Sequence, residues 1–302
     1  MAAAASTAVV LLALAGCGSG HGSGSAAKAS GAKPKAVAPA RNAADVLSLV
    51  EKRTGSVHSA HIEKTVVFGT VLSEKVAADV DWAHGVRQSG TLDATSGSLA
   101  RFATLLDNGE PLRIRALPTA MYMNVGAGAS MFGGKHWIEY PYSSVDSLSG
   151  ASDGTFQVTQ GISPAQAVVA ALASKDVRAV GKESVRGVPT THYRGTVQVS
   201  QAAKELTRLT EKQAQSLRLS LSKVDATSET IDMWVSAANL PVKVVSVTDT
   251  RNGTLTSTAY YSDFGKAVTV QAPPAADTLD ATALLKQAQK QAAAQKKSAA
   301  TG

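Results

Sequence analysis

The 302-residue chain contains a single cysteine, Cys17, which sits directly after Leu14-Ala15-Gly16 and before Gly18-Ser19. A thiolate there is a nucleophile for an acyl-glyceryl group. The small residues before it leave the Gly16–Cys17 bond open to a peptidase. As the sole thiol, it excludes an internal disulfide framework and any zinc site built on several thiolates. Two other patterns have the right residue types in the wrong setting. Gly150-Ala-Ser-Asp-Gly154 matches Gly-x-Ser-x-Gly, but a nucleophile elbow needs a buried strand before the serine and a helix after it. Here Ser152 lies in a polar Ser/Gly/Asp stretch. His58 and His61 stand three apart, without the carboxylates that would complete a metal ligand set. Gly126-Ala-Gly128 and Gly133-Gly134 flank Met131 and Phe132 and open no clear helix, so they do not read as a phosphate cradle. That segment is expected to be a mobile loop, placed to act as a lid if a barrel mouth lies beneath it. No catalytic residue, metal or cofactor is expected.

The residues before Cys17 fit its chemistry. Ala8 to Ala15 is an apolar run, too short for a bilayer-spanning helix of ~20 residues but the length of the ~7–15-residue core of a secretory signal. With Cys17 it resembles the bacterial lipobox, although residues 1–7 lack the usual Lys or Arg. Residues 1–17 are therefore expected to be a lipoprotein signal peptide, with a covalent diacylglyceryl group on Cys17. From 18 to 41 the chain is Gly, Ser, Ala, Pro and Lys, the composition of a flexible tether. It carries Lys28, Lys33, Lys35 and Arg41 and no acid. Bases beside an anchor either attract anionic headgroups, by about 1 kcal/mol each, or only keep the spacer solvated.

After the tether the patterning becomes that of a folded domain. Asn42 is an N-cap for a helix over 42–54 with Val46, Leu47 and Val50 on one face. From Ser59 the period changes to two. Ile62, Val66 and Phe68 alternate with Glu63, Thr65 and Val67, and Val76, Ala78, Val80 and Trp82 with Ala77, Asp79 and Asp81. The same alternation recurs at 112–115, 121–125, 192–199 and 231–236. It predicts an antiparallel sheet with one apolar face. Val242–Thr250 and Thr254–Phe264 read as a hairpin around Asn252-Gly253, a pair that favours a type I′ turn. Helices are expected from Ser163-Pro164, with Ala167, Val168, Ala171 and Leu172 as the stripe, and from about Ser200 to Leu221. Residues 274–302, rich in Ala, Gln and Lys after Pro273-Pro274, read as a tail without a buried face. The domain is then 42–273.

The net charge of +7 belongs to the flexible ends. The tether holds four bases and no acid, and the tail four lysines against Asp277 and Asp280, which leaves 42–273 close to neutral. A neutral domain is a poor nucleic-acid binder, so nucleic acid is excluded as a partner.

Three blocks late in the chain carry a family resemblance: Gly187-Val-Pro-Thr-Thr-His-Tyr-Arg-Gly-Thr-Val197, Ile231-Asp-Met-Trp-Val-Ser-Ala-Ala-Asn-Leu-Pro-Val242 and Tyr260-Tyr-Ser-Asp-Phe-Gly-Lys-Ala-Val-Thr-Val270. With the lipobox they resemble the LppX/LprG-type actinobacterial lipoproteins, related in fold to the LolA/LolB lipoprotein carriers. The resemblance implies an α+β fold in which an incomplete antiparallel β-barrel wraps around helices. It also implies an acylated lipid held between sheet and helices. The candidate cavity residues are Ile62, Val66, Phe68, Met121, Met123, Tyr193, Met233 and Val235. Each of these also suits an ordinary packed core. Three functions follow: a non-enzymatic lipid-binding or lipid-transporting lipoprotein anchored on the outer face of the cytoplasmic membrane; an envelope sensor or scaffold with a filled core and a protein partner; and a hydrolase using Ser152.

Overall fold

The computed structural model describes residues 42–83, 85–146, 163–199, 209–287 and 290. Cys17, the tether and Ser152 lie outside the described residues. The described residues belong to one compact unit.

Asn42 caps α1 (Ala43–Ser56) as expected, its side chain accepting from the Asp45 amide at 2.8 Å. Leu47, Val50 and Thr54, at helical spacing, are its buried face. The strands follow the period of two: β1 (Ser59–Phe68), β2 (Leu72–Asp81), β3 (Arg87–Ser96), β4 (Leu112–Ala116), β5 (Ala120–Asn124) and β6 (Trp137–Pro141). The later strands are β7 (Arg178–Val185), β8 (Val188–Gln198), β9 (Ala226–Ser236), β10 (Pro241–Thr250), β11 (Gly253–Ser262) and β12 (Thr278–Asp280). They form one open sheet in the order β12-β6-β5-β4-β3-β2-β1-β11-β10-β9-β8-β7. Every pairing is antiparallel except β12 with β6. The fold is the expected α+β arrangement of an unclosed sheet around helices.

The helices cover one face of the sheet. Besides α1 they are α2 (Gly97–Asp107), the short α3 (Tyr142–Asp146), α4 (Ala165–Ala173) and α5 (Glu211–Lys223). One core joins them to the sheet: Leu47 and Val50 from α1, Val168 and Ala171 from α4, and Leu217 and Leu221 from α5 meet Ile62, Val80, Met121 and Met233. A side chain on Gly195 would bring its Cβ within 2.6 Å of Ser174 Oγ. The glycine therefore lets the end of α4 lie against β8, where Ser174 Oγ accepts from the Thr196 amide at 2.9 Å.

Four features differ from expectation. Residues 126–134 are not a loose loop: Gly126–Phe132 forms a 3₁₀ helix packed on α2. The small residues permit this, since a Cβ on Gly128 would lie 2.7 Å from Leu106 Cδ2. The helix expected from Ser200 to Leu221 is not continuous. Thr210 is extended and begins α5 with a reciprocal capping box to Gln213, which breaks the pattern at that point. The hairpin forms where expected, but without a type I′ turn. Thr250 pairs with Gly253 around Arg251-Asn252, and only Gly253 of these has positive φ, 136°. Finally, 274–302 is not wholly a tail. Residues 278–280 add β12 to the sheet, Ala281 is 1% exposed, and Leu285 packs against the small core cluster that contains Leu106 and Ile138. His136 and Asp277 (Nδ1 to Oδ1, 2.7 Å) and the bond from Lys135 to the Ala276 carbonyl hold this segment in place.

Candidate functional site

Register turns the inner face into rows that run across the strands. The deepest includes Ala78, Ile62 and Tyr261. The second is Val76, Lys64, Ala259, Val244, Met233 and Tyr193. The third is Glu74, Val66, Ser257, Ser246, Ile231 and Gly195. The outermost is Leu72, Phe68, Leu255, Thr248, Glu229 and Val197. The deepest row and most of the second are packed against α1 and α4. The third and fourth carry polar groups on the same side of the sheet.

A cavity of about 160 Å³ lies over the second to fourth rows. Its floor is made by Lys64, Val244, Ser246, Thr248, Ser257 and Ala259, with Glu229 and Leu255 at the outer row and Tyr261 at the deep end. The start of α4 (Gln166, Ala167, preceded by Ser163) and the end of α5 (Ser220, Leu221, followed by Val224) roof it. Its wall therefore mixes aliphatic and hydrogen-bonding groups.

Burial sets the ionisation of the charged groups here. Burial lowers the Lys64 ammonium to about 8, opposed by the charge of Glu74. Burial raises Glu74, and Lys64 partly reverses it. Burial raises Glu229 to about 7, against a hydrogen bond from Ser246. At neutral pH the cavity thus combines a cation with a carboxyl that is substantially protonated.

The eight residues singled out from sequence are divided by this geometry. Ile62, Met121, Met123, Tyr193, Met233 and Val235 are buried in the main core. Val66 and Phe68 are half-buried in the third and fourth rows. None of the eight lines the cavity. The residues that do so with chemical consequence, Lys64 and Glu229, were missed by the sequence reading, as was Glu74 beside them. Their signal was present: each has the parity of an inward position, Lys64 between Ile62 and Val66, Glu74 two before Val76, and Glu229 two before Ile231.

The opposite face carries a different constellation. His192, Trp234, Lys243, Tyr260 and Glu63 are consecutive partners across β8, β9, β10, β11 and β1. His192 stacks on Trp234 with centroids 4.2 Å apart, and Lys243 Nζ lies 4.2 Å from the Trp234 centroid. The Arg186 guanidinium lies 3.8 Å from the Tyr260 centroid and pairs with Glu63 at 2.7 and 3.2 Å. Asp232 accepts from Arg194 Nε at 2.7 Å and lies 2.5 Å from His192 Nε2. His192, Trp234 and Tyr260, one from each of the three sequence blocks, thus belong to a cross-strand ladder, a structural use of those positions. His61, which shares this face, pairs with Asp79 at 2.8 Å. Among the described residues no group of three or more metal-ligating side chains is assembled.

No protein-family model matches the chain. Two curated proteins do. An uncharacterized 31.2 kDa protein from the rplA–rplJ intergenic region of Streptomyces griseus is 36% identical over 243 residues, covering 80% of both chains. A candidate lipoprotein of Streptomyces coelicolor is 36% identical over 264 residues, covering 84% of this chain and 83% of its own. The chain belongs to their family. Among solved structures it is similar to LprF of Mycobacterium bovis, with 16% identity, a TM-score of 0.46, and coverage of 76% of this chain and 96% of that one. It is also similar to LppX of Mycobacterium tuberculosis, with 12% identity, a TM-score of 0.45, and coverage of 76% and 98%. No helix among the described residues of this family member is long and apolar enough to cross a membrane.

Proposed function

We propose that the protein is a non-enzymatic lipoprotein, held by a diacylglyceryl group on Cys17 to the outer face of the cytoplasmic membrane, that binds an acylated lipid between its open sheet and its helices. The observation that carries this reading is the cavity between the second to fourth rows and α4 and α5. Its mixed aliphatic and hydrogen-bonding wall suits an amphiphile better than a wholly apolar or a wholly polar molecule. Family membership with a candidate lipoprotein and the Leu14-Ala15-Gly16-Cys17 motif support the anchor.

Native mass spectrometry of the full chain, released from membranes in mild detergent, tests the binding. A lipid adduct is expected, and it should be lost when Ala259→Phe and Val244→Phe fill the cavity. Bare polypeptide mass, with no uptake of a fluorescent lipid, refutes the reading. That result favours the second function, a sensor or scaffold with a protein partner, which draws support from the packing of six apolar candidates into a filled core. Cys17→Ser should release the protein from the membrane fraction or leave it as unprocessed precursor, whereas normal acylation of that variant refutes the anchor.

A further inference from the structure

The two acids on the inner face of the sheet are held differently. Glu74, on β2, lies diagonally across from Lys64 on β1, and the Lys64 charge opposes the effect of its burial. Glu229, on β9, lines the cavity itself. Its cross-strand partners are Val197 on β8 and Thr248 on β10, and it accepts a hydrogen bond from the neutral Ser246 hydroxyl. Among the described residues no cation pairs with it. We propose that ligand binding is coupled to proton uptake at Glu229: an uncharged aliphatic segment of a lipid entering the cavity drives this carboxylate to its protonated form, so the lipid is held at lower pH and released as pH rises. This rests on the lipid-binding reading above and adds the regulation of that site.

The position of Glu229 sets the coupling. A carboxylate with a neutral donor and no cation keeps its charge by bonding water through its remaining lone pairs. The cavity of about 160 Å³ is large enough to admit water there. An aliphatic segment packed against Val244, Leu255, Ala259 and Leu221 takes that space and offers no hydrogen bond in return. A proton from solvent then neutralises the carboxylate, because the charged form costs far more to bury than the acid. Burial already brings Glu229 to about 7 in the free protein, so a further loss of water moves it across neutral pH. The direction follows from linkage. Affinity is full below about 7, where the free protein already carries the proton, and falls above it, where binding must also add one. Lys64 gives the opposite direction: lowered to about 8, it loses its charge as pH rises, which favours an apolar neighbour at high pH. Burial pushes the Tyr261 phenol up, so it stays neutral throughout. Glu74 would act in the same direction as Glu229, but it does not line the cavity. From α4, α5 and their flanks come Ser163, Gln166, Ala167, Ser220, Leu221 and Val224, none of which titrates.

The test uses an uncharged ligand, so that no group of the ligand ionises. The full chain in a non-ionic detergent is equilibrated with methyl cis-parinarate, a linear polyene ester whose fluorescence rises in an apolar site. The series runs from about pH 5.5 to about pH 8, with protein-free detergent as the blank. Affinity should fall about fivefold across that range, the loss expected when the ligand makes ionisation of the carboxyl about tenfold harder. In unbuffered solution near neutral pH, a pH indicator should also report proton uptake on binding. Glu229→Gln should bind equally well at both ends of the series and take up no proton. Ser246→Ala removes the bond that favours the carboxylate and should move the fall-off to higher pH, whereas Glu74→Gln should leave it in place. Binding by the parent that does not change with pH overturns the coupling and leaves lipid binding standing. So does a fall-off of parental size in Glu229→Gln, one that stays in place in Ser246→Ala, or one abolished by Glu74→Gln. No binding by the parent or by Glu229→Gln at any pH overturns the lipid reading itself.

Discussion

Along β1 the inner face changes character within four residues. At Ile62 its neighbours are Ala78 and Tyr261, all 6% exposed or less, and the helices close directly onto them. At Val66 the neighbours are Glu74 and Ser257, and Ser257 lines the cavity. The same strands, register and curvature support both ends. Among the described residues, the difference comes from what roofs them: α1 and the body of α4 at the deep end, and the start of α4 and the end of α5 over the cavity. In an open sheet of this kind, stability and ligand chemistry are therefore separated along the strand rather than between strands. A packed end holds the fold, and a polar end bears the cost of buried charge.

The largest effect should come from the packed end. Met233→Ala removes a fully buried side chain beside Tyr193 and Val244 and should cost about 2–5 kcal/mol, read as a lower denaturation midpoint at unchanged m-value. A loss below 1 kcal/mol would mean that the deep rows are not the stabilising end. Next comes Glu229→Gln. The folded-state pKa of Glu229 is raised from 4.5 to about 7, so the folded state favours the protonated carboxyl. Its cost is absent below pH 4.5, grows between 4.5 and 7, and is complete above 7. The glutamine variant should thus be more stable than the parent by roughly 1–3 kcal/mol at pH 8 and equal to it near pH 4. A constant difference across that range would remove Glu229 from the enclosed site.

Gln88 gives a smaller and opposite probe of the packed end. It is fully buried on β3 between Val80 and Ala116, and both its amide atoms lack a protein partner among the described residues. Replacing a buried unpaired amide with an apolar side chain of similar size removes a desolvation cost of about 1–3 kcal/mol, so Gln88→Leu should raise the melting temperature. The smallest effect belongs to the ladder on the other face. Arg186→Ala breaks an exposed ion pair with Glu63 and its contact with Tyr260 and should cost about 1 kcal/mol or less, less still at high salt. A cost as large as that of Met233→Ala would make the outer face, not the packed end, the support of the fold.

The period-two pattern was enough to place most strands and the inward parity of all eight apolar candidates. It did not say which inward positions face helix and which face space, because that depends on where α4 and α5 stop. Lys64 shows the limit. Reading β1 for its apolar residues passes over a lysine of the same parity, although a charge on an apolar parity is the more informative residue. α2 escaped notice for a different reason. Leu99, Ala103 and Leu106 have helical spacing, but the segment opens on Ser96-Gly97-Ser98 and has no side-chain cap to announce it. The hairpin at Arg251-Asn252 was located from its glycine, while its turn type depended on the pairing of Thr250 with Gly253.

β12 closes the edge of β6 with residues synthesised some 140 positions later. Until Asp280 has left the ribosome, β6 has unpaired backbone groups along that edge, and an unpaired edge is a template for strand addition by another chain. The order of synthesis thus creates an interval in which the nascent protein is open to aggregation on one side. Proteins that fold after export as whole chains avoid that interval. A chain ending at Pro273 would retain this open edge permanently, so shortening the protein at the apparent end of its domain would favour self-association.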